Sequence, residues 1–174
     1  MAFEVQDSDD PTATANAYVS VAEFQAYCDE RGIDHSAKTD PQIEQAIVRA
    51  TDYMDGRWTY EGFKYDIEQS TEVPRRDVFD SEGFAIDDIP RIFKNACCEY
   101  TQIDLIVGET LMPNSQNNTQ SGQLTYERKK VDAVEKEIHY HANRGFQWPR
   151  WPLPDRMMRQ SGLIGSTRRQ LGRG

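Results

Sequence analysis

The seventeen residues Asn16–Gly32, N-A-Y-V-S-V-A-E-F-Q-A-Y-C-D-E-R-G, constrain this chain more than any other stretch. They hold a helix start, an amphipathic helix and a helix stop. Ser20 can cap the first turn while Glu23 reaches back to it, the reciprocal capping box. Phe24, Tyr27 and Cys28 recur at three- and four-residue spacing and mark one apolar face. Gly32 stands where a left-handed residue ends a helix. The spacing predicts a helix over Val21–Arg31.

Two further helices follow from the same signals. Asp40-Pro41 opens one, because proline at the first helical position already has the required φ. Ile43, Ala46, Ile47, Ala50 and Met54 give it an apolar stripe, and Gly56 ends it. The longest is expected over Pro90–Val107, with Ile92, Phe93, Ala96, Cys97, Tyr100, Ile103, Ile106 and Val107 on a broad apolar face and Gly108 behind it. The core therefore draws on Phe24, Tyr27, Ile43, Ile47, Ala50, Phe93, Cys97, Tyr100 and Ile103.

The remaining segments are less regular. Residues 1–17 are acidic and turn-forming and read as an extended arm. Over 57–88, Trp58, Tyr60, Phe63 and Tyr65 alternate with polar residues, the period of a strand with one buried face; Pro74 and Gly83 mark turns. Asn114–Gln123 is a polar loop of low complexity. Leu124–Val131 and Val134–Tyr140 read as a charged two-stranded ribbon turning at Asp132-Ala133, marginal if left alone. Trp148–Pro154 reads as stiff and extended, and Asp155–Arg159 as a short helical turn. The expected class is mainly helical α+β: an arm at 1–17, a helical core with ribbon at 18–140, and a basic arm at 141–174.

Charge is unevenly placed. The chain carries −9 overall, yet residues 141–174 hold seven arginines, no lysine and one acid, Asp155. An acidic body with a basic extension suits docking on an acidic surface. Aromatic and arginine anchors mark interfaces, so Phe146, Trp148, Arg150, Trp151, Leu153, Arg156, Arg159, Leu163, Ile164, Arg168 and Arg169 are the candidate docking residues. No signal peptide opens the chain and no stretch approaches a membrane span. The three cysteines, Cys28, Cys97 and Cys98, make no disulfide framework, so a reducing compartment is expected.

The ordered motifs resemble a known family. N-A-Y-V-S-V-A-E at Asn16–Glu23, R-A-T-D-Y-M-D at Arg49–Asp55, V-P-R at Val73–Arg75, and D-S-E-G at Asp80–Gly83 followed by Ile89-Pro90 occur in its order and spacing. It is the tailed-phage head–tail connector (adaptor) family, whose members are often labelled DnaT-like single-stranded DNA-binding proteins. The resemblance implies a virion protein of the neck, present in the host cytoplasm during assembly. It implies a twelve-fold ring docked on the portal, neighbouring copies as partners, and stopper or tail-tube proteins below. Duplex DNA would pass through the ring without sequence-specific binding. The alternative is a single-stranded DNA-binding, replication-associated phage protein.

Catalytic patterns are scarce. His139 and His141 are two apart but lack a third ligand nearby, and Cys97-Cys98 lacks the two-residue gap of a zinc or redox motif. No phosphate loop, nucleophile elbow or zincin motif occurs. Neither enzymatic activity nor a cofactor or metal is expected. Arg57, Trp58, Tyr60, Phe63, Lys64 and Tyr65 interleave bases with aromatics, as single-strand binders do. The acidity of the body weighs against that use, so these aromatics are expected to pack inside.

Overall fold

The computed structural model describes residues 2–80, 82–112, 124–130, 135–140 and 148–165, with the strands inside 124–140 given by backbone alone. The elements are α1 (Val21–Arg31), α2 (Asp40–Arg57), β1 (Phe63–Lys64), β2 (Arg75–Arg76), α3 (Arg91–Gln102) continuing into a π-helical turn (Ile103–Val107), β3 (Leu124–Lys130), β4 (Glu135–Tyr140) and α4 (Pro152–Gln160). The architecture is mainly helical α+β, with two small antiparallel ribbons.

The local signals for α1 act as read. The Glu23 N–H donates to Ser20 Oγ at 3.2 Å and the Ser20 N–H donates to Glu23 Oε2 at 2.7 Å. Gly32 takes φ 65°, and Ile33 N–H closes on Cys28 O at 2.9 Å. Such a cap contributes about 1 kcal/mol. In α2, Pro41 lies in the first turn and the Gln42 side chain accepts from Thr39 N–H at 3.0 Å. The third helix stops being α-helical at Gln102; the wider turn that follows leaves Ile103 and Ile106 half-buried and Val107 exposed.

Two compact units divide the chain: residues 1–111 with 151–174, and residues 112–150. In the first, Phe24, Tyr27, Ile43, Ile47, Ala50, Phe93, Cys97 and Tyr100 are buried, joined by Tyr18, Val19, Met54 and Met158. Tyr18 meets Phe93 edge-on at 4.8 Å, and Tyr53 meets Tyr100 at 5.0 Å. Burial of this kind, worth about 1.5–3 kcal/mol per large side chain, carries most of the stability. The acidic opening segment is tied to the same body: Gln6 N–H donates to Ala17 O at 2.8 Å, and Thr71 Oγ1 donates to the buried Gln6 Oε1 at 2.8 Å. In the second unit, β3 and β4 pair antiparallel from Leu124–Tyr140 to Lys130–Glu135, with a register shift between Leu124 and Tyr126. The polar loop at 114–123 lies outside the described residues.

The largest departure from expectation lies at α4. Pro152 and Pro154 read as extended chain, yet both sit in the first turn of a helix, where an amide hydrogen is not needed. Pro154, Asp155 and Met158 are buried, and α4 packs on α3. Arg57 Nη2 donates to Asp155 Oδ2 at 2.6 Å, and Tyr100 Oη donates to Asp155 Oδ1 at 2.7 Å. What reads as a docking arm thus completes the chain's own core, because Met158 and Leu163 find apolar partners within it.

Candidate nucleic-acid interface

The chain leaves α2 at Arg57 in extended conformation. Tyr60 turns inward, and its hydroxyl donates to Met54 O at 3.1 Å. The segment after α4 then runs antiparallel beside it. Tyr60 pairs with Ile164, Glu61 N–H donates to Leu163 O at 2.9 Å, and Gly165 N–H donates to Thr59 O at 3.0 Å. This seam lays residues 163–165, which follow α4, alongside the most aromatic segment of the sequence. Trp58 is half-buried, with the Arg57 and Arg159 guanidinium carbons 4.8 Å and 5.8 Å from its ring.

Beyond Gly62 the chain forms the β1–β2 ribbon, pairing Phe63 with Arg76 and Lys64 with Arg75. Gly62 is required here. Its φ is 72°, and a Cβ would stand 2.4 Å from Arg76 O. A second hairpin spans residues 78–86, with Ile86 N–H on Val78 O and Asp80 N–H on Phe84 O, both at 2.9 Å. Of the aromatics expected to pack inside, Tyr60 is buried and Trp58 half-buried, but Phe63 is 64% exposed and Tyr65 37%; Phe79 and Phe84 of the second hairpin are exposed as well. The ribbon is only two residues long on each side.

A polar cluster ties this region to the helices. Asp55, on the last turn of α2, accepts from Tyr18 Oη at 2.5 Å and from Glu72 N–H at 3.1 Å. Burial pushes its carboxyl up to about 7, outweighing the two hydrogen bonds that favour the charge. Since the folded value lies above the unfolded one, the folded state binds the proton more tightly. Stability from this group is complete below the unfolded value and is lost as pH rises through the folded one. The melting temperature is therefore expected to fall between about pH 4 and about pH 7, with Asp55→Asn removing most of that slope.

The candidate docking residues part company in the fold. Leu163 is buried and Ile164 half-buried, both inside the body. Trp151 is half-buried, while Leu153 (51% exposed), Arg156 and Arg159 face solvent. Trp148 is half-buried and Arg150 exposed in the other unit. Phe146, Arg168 and Arg169 lie outside the described residues. Sequence reading missed Asp155 and Arg76. The first had a signal, being the lone acid in a basic stretch. Among the described residues, no group of three or more His, Cys, Asp or Glu could hold a metal ion, and the three cysteines are free and buried. No helix among these residues is long and apolar enough to cross a membrane.

A family described as "Putative DnaT-like ssDNA binding protein" matches residues 1–169. The chain belongs to that family. No curated protein and no solved structure matches it. Membership of the DnaT-like family corrects the connector reading. The motifs at Asn16–Glu23, Arg49–Asp55 and Val73–Arg75 fall within a match described by single-strand binding, and the match brings no connector family with it. The portal, a ring of neighbouring copies, stopper or tail-tube partners and a passive duplex channel lose their support with it. Physically, the arm that was to reach a portal supplies Asp155, Met158 and Leu163 to its own core.

Proposed function

We propose that this protein binds single-stranded DNA, using the surface formed by the aromatic segment 57–65, the exposed arginines of α4 and the segment 163–165 that pairs with it. Family membership supports the reading, and the seam of 163–165 on 59–61 is the observation that carries it. Aromatic faces stack unpaired bases without regard to sequence, and arginines beside them neutralise phosphates. Arg156 and Arg159 are exposed on α4. Arg168, Arg169 and Arg173 follow close behind the seam in sequence. Because the whole chain carries −9, the attraction is local and salt-sensitive. We read the protein as a binding module rather than an enzyme.

Fluorescence anisotropy with a labelled oligo-dT, titrated over salt, tests this. The full chain is expected to bind at low salt. Removing residues 166–174 takes away three arginines and is expected to flatten the log–log salt slope by about 2, at roughly 0.7 per phosphate contact on a single strand. Absence of binding by the full chain at low salt would end the reading.

A further inference from the structure

The β1–β2 ribbon has two faces, and their chemistry differs. Residues paired across antiparallel strands point to the same side, so Lys64 and Arg75 share one face and Phe63 and Arg76 the other. The first face is already satisfied. Lys64 Nζ lies 3.0 Å from Glu72 Oε1, and Arg75 Nη1 lies 2.7 Å from Glu72 Oε2. Arg75 also donates to Glu61 O at 2.6 Å and to Gly62 O at 3.0 Å. Glu72 in turn gives its N–H to Asp55 and to Tyr18 Oη, each at 3.1 Å. Both cations on this side are used in fastening the ribbon to the helices.

The second face is not. Phe63 exposes most of its ring, and Arg76 is exposed with no ion-pair partner among the described residues. A large aromatic directly across from an unneutralised guanidinium, on a ribbon fastened from behind, contributes little to packing. Its geometry matches one nucleotide of a single strand: a flat base and the phosphate beside it. A duplex keeps its base faces stacked and cannot use the ring.

We propose that this outer face is a nucleotide subsite, with Phe63 stacking one unpaired base and Arg76 holding an adjacent phosphate. The assignment rests on the single-strand reading above, gives Phe63 of segment 57–65 a defined role and adds Arg76, which lies outside that segment. It separates two contributions. Stacking is worth about 1–3 kcal/mol per base by alanine substitution, and a phosphate contact appears in the salt slope.

The test uses the full chain and labelled oligo-dT. Phe63→Ala is expected to weaken binding about 5- to 150-fold, the stacking range converted at 1.4 kcal/mol per decade, without changing the salt slope. Arg76→Gln is expected to lower that slope by about 0.7. Phe63→Trp should keep the affinity, and its indole emission should be quenched by the oligonucleotide. Arg49→Gln, whose guanidinium is already paired with Asp104 outside this region, should leave the slope unchanged. Wild-type binding that survives Phe63→Ala and Arg76→Gln unaltered overturns the subsite and leaves the single-strand reading standing. No binding by the wild type overturns both.

Discussion

Replacing Asp155 by alanine is expected to destabilise the fold by about 3–5 kcal/mol, the cost of breaking a buried ion pair from one side. The Asp155 and Arg57 side chains are 10% and 8% exposed, and their charged atoms lie 2.6 Å apart. Alanine would leave the guanidinium unpaired where little water reaches it. Tyr100 would lose the acceptor for its hydroxyl, and Trp151 N–H the one at 3.2 Å. Urea unfolding measures the loss. Pairing Arg57→Met with Asp155→Leu should cost far less than either alanine alone, since well-packed apolar replacements of buried pairs are often neutral. A loss below about 1 kcal/mol for Asp155→Ala would mean that solvent reaches the pair, as at exposed ion pairs.

Deleting residues 151–174 is expected to abolish cooperative unfolding altogether. Met158 and Leu163 are fully buried, and truncating even one such side chain to alanine costs about 2–5 kcal/mol. Two of them plus the Asp155 cluster approach the whole stability of a domain, about 5–15 kcal/mol. The deleted protein should bind hydrophobic dyes and lose near-ultraviolet dichroism, the signs of lost tertiary packing. Removal of 166–174 should leave a sharp transition. The contrast between the two truncations reports where the body ends, and a cooperative transition in the longer deletion would show that α4 is dispensable.

These expectations reverse one reading of the sequence, and the reason is instructive. α1 and α2 are legible because their signals are local: Ser20 and Glu23, Gly32, Pro41, and the three- and four-residue spacing of apolar positions. α4 is nine residues long, carries prolines at its first and third positions, and shows arginines to the reader. Its buried side is defined by Arg57 and Tyr100, which no local pattern can reveal. The candidate interface is half legible in the same sense. The interleaving of Arg57–Tyr65 is visible in one dimension. That Phe63 faces water is not, because the alternation from Trp58 and Tyr60 breaks at Gly62, whose positive φ turns the following strand. Arg76 becomes distinctive only once its register opposite Phe63 is known. The breakdown of α3 into a wider turn at Ile103 likewise lies beyond what periodicity shows, since an apolar face reads alike in both.

Arg57 and Asp155 are 98 positions apart in the chain. A growing polypeptide can form α1, α2 and α3 from neighbours in sequence, but Tyr100 waits for its partner until α4 has been made, and Tyr60 waits for Ile164. Closure therefore comes late in synthesis and across a long loop, which slows folding relative to purely local helical bundles. Until then the unfinished body shows water the apolar side of α3, a window in which a nascent chain is exposed to aggregation and to helper proteins that cover such surfaces.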